Sequence, residues 1–515
     1  MKKIIVFLIF LAVSFALPAQ TFTVKNLQIG TTAASAPVYP TATSNAALMA
    51  LPSTTASTIT RLGFYAPGDA PTLVYTASGS PCSLNAGAGD NGSQVRSADS
   101  KCWIAVFPSG PVNVREWGAK GNGTFDDTAA FVGALATGKS VFAPDGNYQA
   151  LDNNIVLNSG QSLLGSGWNT YVTSQFTGAG TIINCTNNSG HACIQVAAGA
   201  TWVTIANMTI NRSITPIGTA QAGSNGIQFA SFSQFSNIHD VYIFNHFIGL
   251  VLHDASAGYV TNVVTQGNAA DGLQMFNVST GPMQWGLSNV LSQSNGGRGF
   301  YIYSTAAPGA GGVSVSNMDK IFSFGNSGVG FAVVGTAAQP IFGPRITNSF
   351  LGGDGNHEIF VQSFGGDVQI TNSFLELSGS SDTGPLGTTP PTGAGNGIDI
   401  ENGATIKISN NIINQMSANG IAINGGTGVS VTENLITNSG QNAATAGIGL
   451  YIGSGVTADV SGNTINNTAG YSSQQYGVLN AGTINVSIGN NLKPNTIGSF
   501  SGSAPTIGGS TLNNQ

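Results

Sequence analysis

Ten short segments between residues 226 and 480 share one pattern, a glycine or turn residue followed by alternating apolar positions. They are Gly226–Phe229, Gly249–Leu252, Gly272–Met275, Gly299–Ile302, Gly330–Val333, Glu358–Val361, Gly397–Ile400, Gly420–Ile423, Gly447–Leu450 and Gly477–Asn480. Their starts lie 23 to 39 residues apart, the length of one solenoid coil with loops of variable size. Alternation within each segment puts Ile, Leu, Val and Phe on one side of a strand and the intervening residues on the other. An asparagine accompanies each repeat: Asn207, Asn237, Asn262, Asn289, Asn317, Asn348, Asn372, Asn411, Asn434 and Asn463. Equivalent residues of stacked coils lie about 4.8 Å apart along the axis, so these amides are expected to form one hydrogen-bonded ladder. Chemistry then belongs to the outward row of side chains or to the loops.

Composition agrees. Only 7% of the 515 residues are charged, 41% are hydrophobic and 71 are glycine, which excludes a disordered chain, low in hydrophobicity and high in charge. The start, Met1-Lys2-Lys3 followed by apolar Ile4 to Phe15 and small residues at Ala16 and Ala19, reads as a secretory signal peptide over residues 1–19. Its apolar run is too short to span a bilayer, so export without a membrane span is expected. Cleavage removes Lys2 and Lys3 and moves the formal net charge from -6 to -8, with 13 basic residues left against 21 acidic. A sparsely charged acidic protein is a poor partner for nucleic acid.

An exported chain keeps its cysteines oxidised, and proximity suggests Cys82 with Cys102 and Cys185 with Cys193. Neither pair has zinc-finger spacing, so no metal site is expected from them. Residues 20–52, rich in Thr, Ser, Ala and Pro, read as a linker or arm. Residues 53–110 read as a small β module of short strands and turns around Arg61–Asp69, Gly89–Ser93 and Cys102–Ala105. The coils are expected over 111–500, with a tail over 501–515.

Two segments carry a family likeness. Val112-Asn113-Val114-Arg115-Glu116-Trp117-Gly118-Ala119-Lys120-Gly121-Asn122-Gly123-Thr124-Phe125-Asp126-Asp127, followed by Thr128 to Phe131 and by Val141 to Tyr148, resembles the opening of the pectate-lyase-like superfamily. That group includes rhamnogalacturonases, polygalacturonase-type glycoside hydrolases and tail-spike depolymerases. The resemblance implies an all-β fold, a right-handed single-stranded parallel β-helix (solenoid), with a short N-terminal helix plugging its open end. It also implies a polysaccharide as substrate or ligand, and its members include lyases, hydrolases, epimerases and non-catalytic proteins. The segment Gly63-Phe64-Tyr65-Ala66-Pro67-Gly68-Asp69 resembles the head or neck element before β-helices in some bacterial surface proteins and phage tail spikes. A monomer and a homotrimer, as in tail spikes, both fit. Asp126-Asp127 reads as a helix cap before Thr128–Thr137, with Gly138 closing it, since carboxylates suit the positive end of a helix.

Projecting the repeat onto its outward positions gathers polar and aromatic residues between His253 and Glu401. Phe276, Tyr301, Tyr303 and Phe360, with His253, are candidates for stacking on sugar rings; packing under the loops Thr305–Gly312 and Ser378–Gly395 is the other reading. Asp399 and Glu401, two apart on one strand, should present both carboxylates on one face about 7 Å apart, which suits an inverting acid and base pair; a solvated acidic edge is the alternative. Asp271 and Arg298 fall on adjacent coils at the same turn, where an ion pair is the plain explanation. With His357 nearby they form the second catalytic candidate, Arg298 binding a uronate carboxylate or a basic group taking a proton. The Gly-His-Gly and Arg-Ile-Lys elements of polygalacturonases are absent. Calcium, usual in pectate lyases, has no recognisable loop here, and the cofactor stays unknown. An enzyme cleaving polysaccharide by lyase or hydrolase chemistry is one reading; a non-enzymatic surface or adhesin-like β-helix is the other.

Overall fold

The computed structural model describes residues 40–502, apart from 170, 173–174, 177–178, 279–283, 306–312, 315–316, 379–394, 442–446, 469–473, 493–494 and 496–497. The expected signal peptide, most of the expected tail and nearly all of the segments Thr305–Gly312 and Ser378–Gly395 lie outside the described residues. The N-terminal module is a five-stranded sheet of Thr41–Ala42, Thr58–Arg61, Leu73–Ser78, Cys102–Val106 and Gln94–Arg96, in that spatial order. Its boundary is earlier than the composition suggested. Thr41–Ala42 pairs with Thr60–Arg61, and the helix Asn45–Met49 is capped by the Ser44 side chain, which accepts from the Ala47 N–H. Ala42 and Leu48 are buried with Ile59, Leu73, Tyr75, Val95 and Trp103. Part of the expected arm is therefore core, because two apolar side chains among small polar residues are enough to dock a short segment. The Cys82–Cys102 disulfide closes this module, and Cys185–Cys193 forms in the coils.

The helix Thr128–Ala136 plugs the end of the coils with Phe131, Ala134 and Leu135 in the core. The two aspartates before it divide their work. Asp126 Oδ1 accepts from the Thr128 N–H and hydroxyl, while Asp127 turns away and accepts from the backbone N–H groups of Lys120 and Gly121.

From Val112 onward the described residues wind as a right-handed parallel β-helix with two sheets of 13 and 22 strands. The 13-stranded face runs from Ile155–Leu157 to Gly498–Gly502, and its core positions, such as Ile227, Leu250, Leu273, Phe300, Phe331, Ile359 and Ile398, follow one another in register. Close approach explains the marker glycines. A Cβ on Gly249, Gly299 or Gly397 would stand 2.5 to 2.7 Å from the carbonyl oxygen of the glycine in the next coil, closer than any side chain tolerates. The register also shifts one expected marker: Ile421 pairs with Leu450, so Gly449, not Gly447, occupies the column.

The asparagines form two buried ladders rather than one. In the first, Asn268 donates to Asn295 Oδ1, Asn295 to Asn326 Oδ1 and Asn326 to Asp354 Oδ1, each through its side-chain amide and its backbone N–H. In the second, Asn411, Asn434, Asn463 and Asn490 do the same. Each ladder residue follows a residue with left-handed φ, such as Gly267, Ser294 and Gly325 or Asn410, Glu433 and Gly462. Asn207, Asn262, Asn289, Asn348 and Asn372 are themselves such left-handed corners, a conformation that asparagine tolerates well. The single expected ladder thus merged corners with rungs, although the corners Asn289 and Asn262 do bond amide to amide at the surface, and it missed Asn268, Asn295, Asn326 and Asn490.

One coil breaks both columns. Asp354 stands where the first ladder has Asn, and Glu358 stands where other coils have the marker Gly. Both are fully buried, and Glu358 Oε2 has no hydrogen-bond partner. Asp354 accepts from Asn326 and from the Ser323 hydroxyl. Burial pushes the Asp354 carboxyl up to about 6, and burial beside Asp354 raises Glu358 well above its usual range.

Two predictions follow from these columns. Asn434→Ala removes a rung whose amide also donates to the Ile408 and Thr432 carbonyls, and each buried group left unpaired costs about 1–3 kcal/mol. A loss on the order of 3–5 kcal/mol is expected in denaturant unfolding. Because both carboxyls bind protons more tightly folded than unfolded, their stabilisation is complete at acid pH and is lost as pH rises through their folded values, about 6 for Asp354. Thermal unfolding temperature should therefore fall between pH 5 and pH 8, and Asp354→Asn should flatten that fall and unfold higher than wild type at pH 8.

Candidate functional site

The outward row of the 13-stranded face reads Gln228, Val251, Gln274, Tyr301, Ala332, Phe360, Asp399 and Ala422 in continuous register. The neighbouring row reads His253, Phe276, Tyr303, Val334 and Gln362. There the alternation ends. A bulge pairs Gln362 with Asn402, so Glu401 leaves the row that the sequence assigned to it.

Four of the five proposed stacking residues pack on one another. The rings of His253 and Phe276 stack at 4.5 Å, Phe276 and Tyr303 at 4.9 Å, and Tyr303 and Tyr301 at 4.2 Å between centroids. The Arg298 guanidinium caps this stack 3.4 Å over Tyr301. Ring faces are therefore spent on neighbouring rings, and a ligand would meet ring edges and hydroxyls. Burial raises the Tyr303 hydroxyl to about 12, so it stays a donor at ordinary pH. Phe360 stands apart, tilted against His357 at 5.7 Å.

Asp271 is held as a structural carboxylate. It accepts from the Arg298 backbone N–H, Nε and Nη2 at 2.7, 3.1 and 3.0 Å, and from Gln274 Nε2 at 2.6 Å. Its oxygens are fully engaged, and the guanidinium is committed to it bidentately. This geometry gives the pair a supporting role, not the proton transfer raised as its second reading. His253 is paired with Asp254, Nε2 to Oδ2 at 3.3 Å.

The remaining candidates converge. Asn396 donates its backbone N–H to His357 Nδ1 at 3.1 Å and its side-chain amide to Asp399 Oδ2 at 2.9 Å. Asn424 Nδ2 donates to Asp399 Oδ1 at 3.0 Å and to Glu401 Oε1 at 2.8 Å. His357 Nδ1 lies 3.5 Å from Asp399 Oδ2. Since Nδ1 accepts a backbone N–H, the imidazole is neutral and its proton sits on Nε2. Burial lowers His357 to about 4 and raises the Asp399 carboxyl to about 6, the nearby Glu401 charge adding to the rise. Two adjacent groups are thus driven in opposite senses, the pattern of sites that hold a proton for chemistry.

Two expectations change here. The Asp399 side chain is 7% exposed, not openly outward, because Asn396 and Asn424 close over it from the adjoining turns; Glu401 remains exposed. The two carboxylate oxygens that share the Asn424 nitrogen sit closer together than the roughly 6.5–9.5 Å of an inverting pair. An amide fills the space where that mechanism places water. Asn396 and Asn424 were missed as site residues, although each occupies a position adjacent to a repeat segment. Among the described residues no three His, Cys, Asp or Glu side chains gather as metal ligands.

Residues 111–331 match the family model described as rhamnogalacturonase A/epimerase, pectate lyase-like. No curated protein matches the chain. Bacteriophage CBA120 tailspike protein 3 is 12% identical over 78% of this chain and 62% of its own, with a TM-score of 0.50. The A-module of mannuronan C-5 epimerase AlgE4 from Azotobacter vinelandii is 16% identical over 78% of this chain and 100% of its own, with a TM-score of 0.44. DFA-IIIase from Arthrobacter chlorophenolicus A6, solved in complex with GF2, is 15% identical over 68% of this chain and 92% of its own, with a TM-score of 0.46. At such identities the likeness is one of fold, and the chain spans a little under two thirds of the tailspike. With its coils in parallel register, the chain has the fold of the right-handed parallel β-helices, and its residues 111–331 are similar to the pectate-lyase-like family.

Proposed function

We propose that this protein is a secreted enzyme that binds a polysaccharide along the 13-stranded face and hydrolyses its glycosidic bonds at Asp399 and Glu401. The observation that carries the reading is the Asp399 carboxyl, raised to about 6 and bridged through Asn424 to an exposed second carboxylate. A carboxyl raised toward neutrality suits the general acid that protonates a leaving oxygen, and an exposed partner suits the carboxylate that attacks or stabilises the sugar cation. Their close spacing favours retention over inversion. His357, neutral with its Nε2 proton, is a hydrogen-bond donor beside the acid. Tyr301, Ala332 and Phe360 precede Asp399 in one row.

A β-elimination is less well supported, because Arg298, the cation nearest this row, is committed to Asp271. Two disulfides support export to an oxidising compartment, and the family match supports a carbohydrate ligand.

Purified mature protein on a polysaccharide panel, assayed for reducing ends and for ultraviolet absorbance of unsaturated product, tests the reading. Reducing ends without absorbance are expected. Absorbing product would make the protein a lyase, and retained glycan binding with neither signal would make it an adhesin. With a cleaved substrate, kcat/KM should fall as pH rises through about 6, since the protonated acid is the active form. Asp399→Asn should lower kcat by about 10²–10⁴-fold and abolish that limb. A limb that survives the substitution would assign the acid elsewhere.

A further inference from the structure

A cleft of about 310 Å³ lies where the N-terminal module meets the opening of the coils, lined by Phe64, Tyr65, Asp69, Arg115, Ala119 and Lys120. It shares no residue with the Asp399 site. Domain junctions are common places for ligand pockets, and this volume is at the small end of their range, room for one ring rather than a chain.

Its chemistry is uneven. The wall is aromatic: Phe64 and Tyr65 meet edge to face at 4.8 Å, and Tyr65 and Phe125 at 6.5 Å. The Lys120 ammonium sits 4.6 Å from the Tyr65 ring centre and 4.4 Å from that of Phe125, while Tyr65 and Phe125 stay 48% and 37% exposed. The carboxylate in the wall is already occupied, for Asp69 accepts the backbone N–H groups of Phe64, Tyr65 and Ala66. Asp127, near Tyr65, is likewise filled by Lys120 and Gly121 N–H groups.

The two cations are not matched in this way. The Arg and Lys ion pairs among the described residues are Arg212–Asp152, Arg298–Asp271 and Arg345–Asp367, none of which involves Arg115 or Lys120. Arg115 donates Nη2 to the Asp145 carbonyl and is hydrogen-bonded to the Tyr148 side chain, while its buried Nε has no partner. In a chain with only 15 Lys and Arg, two such cations share one small aromatic cleft.

We infer that this cleft binds a single pyranose ring bearing a carboxylate, a uronic acid residue, with the aromatic wall against the sugar C–H face and Lys120 and Arg115 taking the carboxylate. An exposed ammonium over aromatic rings gains more from an anion than from water, and a guanidinium holds a carboxylate through directed N–H bonds. The ring class rests on the carbohydrate reading above, whereas the anionic requirement rests on the cations alone.

The test is saturation-transfer NMR and calorimetry on the full mature chain with methyl glucuronide, methyl glucoside and benzoate as probes. Methyl glucuronide should bind, with methyl glucoside and benzoate each at least about tenfold weaker. Lys120→Met, which keeps the stem and removes the charge, should lose about tenfold in affinity with unchanged thermal unfolding; Lys120→Arg should restore it and Tyr65→Ala should abolish it. Asp399→Asn should leave glucuronide binding intact, so failure of the cleft and failure of the catalytic reading are separable. Equal binding of the glucoside or of benzoate, no glucuronide binding, or indifference to Lys120→Met overturns the inference.

Discussion

Everything in this molecule depends on each coil hydrogen-bonding to the next in parallel register at close range. That spacing demands glycine where one backbone presses on the next carbonyl, and it brings buried amides within reach of one another along the axis. Inside a low-dielectric core such chains of hydrogen bonds strengthen one another and are costly to interrupt. Columns of identical chemistry are therefore the rule, and a departure from a column needs a reason.

The departures cluster. Glu358 stands in the glycine column, Asp354 in the amide column, and a bulge displaces Glu401 from its row. All three fall within two adjacent coils, those that also hold His357 and Asp399. Proteins break local rules at functional sites and compensate elsewhere, so the irregularity of these coils supports the same location as the perturbed carboxyl of Asp399. The Asp271–Arg298 pair, by contrast, respects the repeat and serves it.

The repeat itself was readable from the chain because steric demand leaves only glycine at Gly249, Gly272 and Gly299, and alternation marked the core of each strand. Where two residues met the same demand the reading slipped, as between Gly447 and Gly449. The amide columns blurred because asparagine serves both as a left-handed corner and as a buried rung. The outward rows were legible, yet their environment was not: alternation says that Asp399 faces away from the core, while Asn396 from the turn before it and Asn424 from the next coil decide that it is covered. Phe276, Tyr301 and Tyr303 were likewise found as neighbours without their stacking being apparent, since ring orientation is set by side-chain packing. The docked segment Thr41–Met49 escaped notice because its composition differs little from that of a linker.

The two amide ladders have a direction. Every rung donates toward the C-terminal end and accepts from the N-terminal side, so a carboxylate, which only accepts, is a natural last rung, and Asp354 ends the first ladder in this way. The second begins one corner away: its column is apolar through Val263, Val290 and Ile321, then passes through Ser349 and Ser373 to Asn411. The polar spine thus changes edges in the turn of chain spanning Ser349 and Asp354, leaving a splice between two differently braced halves of the rod. His357 and Asp399, 3.5 Å apart, stand beside that splice, where neither ladder braces the rod alone.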